Sequence, residues 1–303
     1  MKYRTLGKSG LRVSVVGVGT WQFGGEWGRL YTPNEADAIL GEANTLGINL
    51  IDTAECYGDH TSEQLIGNVV RHHRSEWLVA TKFGHHFKGH LDRSRHFAVA
   101  DMRQQLDDSL RALRTDYIDL YQIHSPEDSE FFVDELWTAL QAVVKAGKVR
   151  HIGISVSPNT NITQTDAATA VGADAMQIIY NRLSRQCEEK VFPSCQRQNL
   201  GVLARIPLAS GYLSGKYQPG ATFPPNDVRA SRKPEEEDQK LREVQEISKN
   251  EVPRGTPMAT WALAWCLQHP AVTCVIPGCK DPDQVRMNAS AAELAAADHP
   301  QAA

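Results

Sequence analysis

Positive charge is not in excess in this chain: 32 lysines and arginines face 36 aspartates and glutamates, a formal charge of −4 at pH 7. No basic field remains to gather a polyanion, so nucleic acid and anionic membrane surfaces drop out as partners. Long apolar runs are also missing. Nothing approaches the roughly 20 apolar residues of a membrane span, and the start, Met1-Lys2-Tyr3-Arg4-Thr5-Leu6-Gly7, has no apolar leader core. The six cysteines (56, 187, 195, 266, 274, 279) include no C-x-x-C pair and no disulfide-like spacing. Reduced thiols in a cytoplasmic protein are therefore expected. The dinucleotide fingerprint G-x-G-x-x-G is absent too: Gly17-Val18-Gly19 is followed by Thr20-Trp21-Gln22, which argues against a Rossmann enzyme.

What is present is a repeated punctuation. A helical stretch ends in Leu46-Gly47 and the apolar run Ile48-Asn49-Leu50-Ile51-Asp52 follows at once. The same grammar returns at Gly147, Gly172 and Gly201, before runs at His151–Ser155, Ala175–Ile179 and Val202–Ala204. Glycine just past a helix takes the left-handed conformation that stops it, and a β-rich run then enters a sheet. Val15–Thr20, Trp77–Lys82, Tyr117–His124 and Val272–Pro277 complete a set of eight strands. Their spacing, mostly ~24 to 40 residues, suits the βα units of a parallel barrel. The expected architecture is a (β/α)8 TIM barrel forming one domain over residues 1–303. Residues 2–14 read as an N-terminal β-hairpin that turns at Lys8-Ser9-Gly10 and plugs the barrel's bottom. A long loop, 207–255, follows strand 7, with Glu235-Glu236-Glu237-Asp238 as the solvated first turn of an extra helix. Thr32-Pro33-Asn34-Glu35 has a capping-box pattern, and Trp261 and Trp265 fall at helical spacing, suited to packing on the barrel.

Polar residues sit at or just past three successive strand ends, where barrel enzymes keep their chemistry. Asp52 closes the second strand, Tyr57 lies in the loop after it, Lys82 closes the third and His124 the fourth. A phenol with a reference pKa near ~10 is a poor acid at neutral pH, and an adjacent ammonium lowers that value. Asp52 can keep Lys82 charged in a dry pocket, and His124 can orient a carbonyl oxygen. Together they make a proton donor for a carbonyl that receives hydride. Taken singly, each has a plain structural role as well: a rim ion pair, a surface aromatic, a satisfied histidine. His85, His86, His90 and His96 cluster after the third strand, but only Asp92 accompanies them, so the expectation is pocket-rim residues and no metal. Cys56 and Cys279 read as small apolar filler.

The stretch Gly47–Gly58 with Ser62-Glu63 and Leu65-Ile66-Gly67 resembles the signature of the aldo-keto reductase family. So do Asp116–Tyr121 with His124, Pro207–Gly211 with Gly215-Lys216-Tyr217, and Ile276-Pro277-Gly278. The resemblance runs in order over nearly the whole chain. It is closer to the bacterial branch that includes potassium-channel β subunits than to the aldose reductase branch. It implies reversible reduction of a small-molecule aldehyde or ketone by NADPH, without metal, with Asp52, Tyr57, Lys82 and His124 as the catalytic tetrad. It further implies Ser155 and Gln177 at the nicotinamide carboxamide, and Pro207, Leu208, Ser210, Gly211 and Lys216 over the pyrophosphate. Gly278, Lys280, Gln284 and Asn288 match the segment around the adenosine and its 2′-phosphate; Thr20 and Trp21 match positions beside the nicotinamide and substrate mouth. Two positions depart from the pattern: Val156 replaces a common asparagine, and Arg205 stands where an aromatic ring usually stacks on the nicotinamide. Trp27 and Arg29 are expected near the mouth. Two rival readings use the same residues, a Lys82 Schiff-base lyase and a non-catalytic NADPH-sensing or partner-binding barrel.

Overall fold

The computed structural model describes residues 1–295 and 298–303. The chain opens with an antiparallel hairpin, β1 (Tyr3–Thr5) and β2 (Arg12–Ser14). There follow β3 (Val18–Gly19), α1 (Pro33–Thr45), β4 (Leu50–Asp52), α2 (Thr61–Val70) and β5 (Leu78–Phe83). A second hairpin, β6 (His85–Gly89) and β7 (Asp92–Arg95), precedes α3 (Val99–Leu113) and β8 (Ile118–His124). Next come α4 (Asp128–Phe131), α5 (Asp134–Lys145), β9 (Val149–Ser155), α6 (Ile162–Ala167), β10 (Ala175–Ile179), α7 (Val191–Arg197) and β11 (Gly201–Arg205). The chain continues through α8 (Pro234–Asn250), α9 (Met258–Leu267), β12 (Cys274–Val275), α10 (Pro282–Ala289) and α11 (Ala291–Leu294).

Eight parallel strands lie in the order β3-β4-β5-β8-β9-β10-β11-β12. The sheet closes on itself where Val15 and Gly17 bond to Val275, at 3.0 and 2.8 Å, and Gly19 N–H donates to Pro277 O at 2.9 Å. Glycine is required at this seam, since a Cβ on Gly19 would sit 2.6 Å from Ile276 O. The fold is thus the expected (β/α)8 barrel with its N-terminal hairpin. Leu6 and Val13 of the hairpin pack on Leu50, Ala80, Leu120, Ala175, Leu203 and Cys274, contributed by six of the eight strands, and seal the bottom. Removing one fully buried leucine such as Leu6 from such a plug typically costs ~2–5 kcal/mol. A larger apolar layer fills the space between strands and helices, where Met102, Leu106 and Leu113 lie on the inner face of α3.

Thr32 caps α1 through a reciprocal box with Glu35, as the sequence pattern requires. Trp265 packs on Tyr180, ring centroids 5.3 Å apart, and Trp261 packs beside the buried face of α8. The acidic first turn of α8 is not wholly solvated, contrary to expectation. Glu237 is buried, accepting from Tyr212 Oη and Lys240 Nζ and pairing with Arg232. It anchors the α8 helix to the loop after β11. The hairpin β6–β7 was not foreseen either, because its alternation is of polar residues and its register shifts between Phe87 and Gly89. Among the described residues, no helix is long and apolar enough to cross a membrane.

Candidate active site

The C-terminal ends of the strands open on a cavity of about 440 Å3. Its lining includes Thr20, Trp21, Asp52, Tyr57, His124, Gln177 and Arg205 at the barrel end. Farther out lie Pro207, Leu208, Ser210, Gly211 and Lys216 on one side and Gly278, Lys280, Gln284 and Asn288 on the other. Two expected site residues, Lys82 and Ser155, lie just beneath, fully buried.

Beneath the cavity floor runs a chain of charges and amides. Lys82 Nζ donates to Asp52 Oδ2 at 2.9 Å and Thr53 O at 2.6 Å, and stands 3.5 Å from Tyr57 Oη. Asp52 Oδ1 accepts from Gln177 Nε2 at 2.6 Å and Gln122 Nε2 at 3.3 Å, while Ser155 Oγ donates to Gln177 Oε1 at 3.3 Å. Burial opposes charge on Lys82, yet Asp52, with Tyr57 beyond it, holds the ammonium above the usual lysine range. An ammonium so held has its lone pair occupied by a proton and is a poor amine nucleophile. For Tyr57 the balance reverses the expectation: burial outweighs the attraction of Lys82 and pushes the phenol up to about 12. The ammonium still lowers the value relative to the same pocket without it. The phenol therefore stays protonated at neutral pH, ready as a donor.

Burial, and then the nearby charge of Lys82, hold His124 well below the usual histidine range, so its ring is neutral. A neutral imidazole keeps one N–H to donate. Nδ1 lies 3.8 Å from Cys56 Sγ, and His85 Nε2 lies 2.7 Å from the carbonyl oxygen of His124. The four-histidine cluster divides accordingly. His85 lines the cavity, whereas His86 packs against His96 on the second hairpin, ring centroids 4.3 Å apart. Arg29 does not line the mouth as expected; it pairs with Glu35 on α1. Trp27 does line it and meets Trp21 edge-on at 5.1 Å, and Trp21 in turn lies near-parallel to Tyr57 at 6.1 Å. Two glycines allow that approach. Gly24 and Gly58 touch backbone to backbone, and a Cβ on either would meet the other segment at 2.6 Å.

The two departures from the family pattern are in contact with each other. Arg205 ends β11 and donates from Nη2 to the carbonyl oxygen of Val156 at 3.3 Å, while its Nε is buried without a hydrogen-bond partner among the described residues. Burial lowers its pKa, and Tyr57 and Asp52 pull it back up. Beyond Arg205 the backbone is left-handed at Ile206, Ala209, Ser210 and Gly211. These residues fold the loop tightly on itself, Ala209 N–H donating to Ile206 O at 3.0 Å and Gly211 N–H to Leu208 O at 2.9 Å. Arg229 braces it, bonding Asp227 through two nitrogens (2.9 and 2.7 Å) and reaching Ser210 O at 3.3 Å, while Arg232 Nη2 donates to Ser210 Oγ at 2.9 Å. Sequence reasoning missed Gln122, Glu26, Arg93 and Arg229. Gln122 had a signal, a polar residue in a buried strand two positions before His124. The others had none, because their partners are remote or lie in an irregular loop.

The aldo/keto reductase family profile matches residues 15–302. Aldo-keto reductase YhdN of Bacillus subtilis is 31% identical over 94% of this chain and 87% of its own length. A probable voltage-gated potassium channel subunit beta of Arabidopsis thaliana is 30% identical over 97% of this chain and 92% of its own. Among solved structures, an aldo-keto reductase of Bacillus halodurans in holo form superposes with a TM-score of 0.80 at 32% identity, covering 97% of this chain and 91% of that one. With a buried Asp–Lys–Tyr chain at the mouth of a (β/α)8 barrel and a profile spanning almost its whole length, this chain belongs to the aldo/keto reductase family.

Proposed function

We propose that the protein reduces an aldehyde or ketone to an alcohol with NADPH, Tyr57 supplying the proton. The observation that carries this is the protonated Tyr57 hydroxyl set on the cavity wall 3.5 Å from a fully buried, carboxylate-paired ammonium. The cavity's lining supports a dinucleotide as its occupant. The polar loop carrying Ser210 and Lys216 suits a pyrophosphate, Lys280 and Asn288 lie at the far end, and the Nε–H of Arg205 has no partner among the described residues. Ser155 and Gln177 are assigned to the carboxamide, Leu208, Ser210, Gly211 and Lys216 to the phosphates, and Lys280, Gln284 and Asn288 to the adenosine end. When bound, the nicotinamide supplies hydride to the carbonyl carbon. Tyr57 then donates its proton to the oxygen as negative charge develops there, and Lys82 stabilises the phenolate left behind. Asp52 keeps Lys82 charged and in place, and the neutral His124 donates a hydrogen bond that orients the carbonyl.

This reading predicts that Tyr57→Phe abolishes carbonyl reduction while NADPH affinity, read by fluorescence titration, stays nearly unchanged. Retention of more than about a tenth of kcat, a loss below ~1.4 kcal/mol, would show that the acid lies elsewhere. The likeness to a potassium channel β subunit favours a second reading, a cofactor-sensing barrel with incidental turnover. Vanishing rates on every member of an aldehyde panel would support it.

A further inference from the structure

Glu26 lies in the loop between β3 and α1, outside the constellation above, yet only 2% of it is exposed. Its carboxylate collects three bonds. Trp21 Nε1 donates to Oε2 at 2.6 Å, the Leu91 backbone N–H donates to Oε1 at 2.8 Å, and the Arg93 guanidinium forms an ion pair with Oε2. Two of these partners belong to the second hairpin and the third is the tryptophan beside Tyr57, so one carboxylate joins two walls of the cavity. Arg93 also donates to Cys56 O at 3.3 Å and lines the cavity with Trp21, Trp27, His85 and His124. The cavity wall therefore contains a guanidinium whose charge is cancelled by a buried carboxylate. Charges shielded from water couple strongly, so an incoming anion would have to compete with Glu26 for Arg93.

We propose that the Glu26–Arg93 pair sets the charge of the substrate: the intact pair selects uncharged carbonyl compounds, and Glu26 acts by neutralising Arg93 without touching the substrate. The inference rests on the carbonyl reduction proposed above. Released from Glu26, Arg93 presents a planar fork that matches a carboxylate. The other cations at the cavity, Arg205, Lys82, Lys216, Lys280 and Arg229, are unaltered by a change at Glu26, so their field cancels when one variant is compared with another.

The test is the ratio of kcat/KM for para-carboxybenzaldehyde to that for the uncharged para-formylbenzamide. In Glu26→Gln, which keeps the side chain's shape, the ratio rises about tenfold or more over wild type, chiefly through KM for the acid. Adding Arg93→Gln to that variant returns the ratio to the wild-type value. If Glu26→Gln weakens both compounds in parallel, the carboxylate only holds the walls and the proposal is wrong. Should Glu26→Gln fail to fold, Arg93→Gln alone asks the same question with opposite sign, since an uncancelled Glu26 lowers the ratio; an unchanged ratio overturns the proposal. Binding of the two compounds, followed through tryptophan fluorescence, gives the same ratio without turnover. With a wild type that reduces neither compound, the binding ratio still decides this proposal, while the aldehyde panel decides the reductase reading.

Discussion

Replacing Lys82 with methionine removes the ammonium that bonds the Tyr57 hydroxyl and keeps most of the side chain's bulk. The ammonium stands 3.5 Å from the phenol oxygen, and at an effective dielectric near 20 Coulomb's law gives ~4.7 kcal/mol between Lys82 and the phenolate. Lys82 is fully buried, so bulk solvent screens this little. If half of the charge has developed in the transition state, kcat falls ~50-fold; if all of it has, the fall is ~3,000-fold. The assay is single turnover at saturating NADPH and aldehyde. Lys82→Met also strands the Asp52 carboxylate, a loss of ~3–5 kcal/mol in stability that could masquerade as lost activity. Lys82→Met with Asp52→Asn removes both charges and should recover the denaturation midpoint while leaving the rate low. A single variant within about tenfold of wild type, or a double variant that regains the rate, would refute the assignment of Lys82 as the phenolate's counter-ion.

Arg205→Tyr should improve NADP⁺ binding more than NADPH binding, because a cation near the ring penalises the positively charged oxidised nicotinamide; parallel shifts in the two dissociation constants would leave charge out of the account. Lys280→Ala should weaken NADPH about tenfold to a hundredfold and spare NADH, the loss of a contact to the 2′-phosphate, and equal weakening of both would give the lysine another role. Glu55 is a carboxyl that burial pushes up to about 8, so the folded state holds a proton that the unfolded state releases near 4.5. Its stabilising effect is complete below the unfolded value and is lost as pH climbs toward 8; unfolding free energies from urea titrations should fall over that window in wild type, by as much as roughly several kcal/mol, and fall less in Glu55→Gln. Parallel curves of unfolding free energy against pH for the two proteins would show that Glu55 does not hold its proton through that window.

The barrel was legible because its cues are local. Left-handed Gly47, Gly147 and Gly172 after α1, α5 and α6 mark the strands that follow them. Before β11 the left-handed stop is Asn199, and the expected Gly201 is the strand's first residue. The strand ends carry Asp52, Lys82 and His124. Parallel pairing then brings those ends to one face whatever else the chain does, so three separated polar residues could be read as neighbours. The missed hairpin at 85–95 shows the limit, since its faces carry no apolar alternation and only the cavity edge gives it a place. Tyr57 shows another. Sequence supplied the phenol and the ammonium, but the sign of the phenol's net shift depended on how much water the fold removes. Glu237, one of four consecutive acids, is buried while Glu235 and Glu236 face solvent, a division set by where the loop after β11 happens to pass. The pairing of Glu26 with Arg93 across 67 positions, and of Arg205 with Val156 across 49, left no trace in spacing. Local pattern determined the scaffold and the positions of the reactive groups. Burial and long-range pairing, which no short window of sequence contains, decided their charge states and what surrounds them.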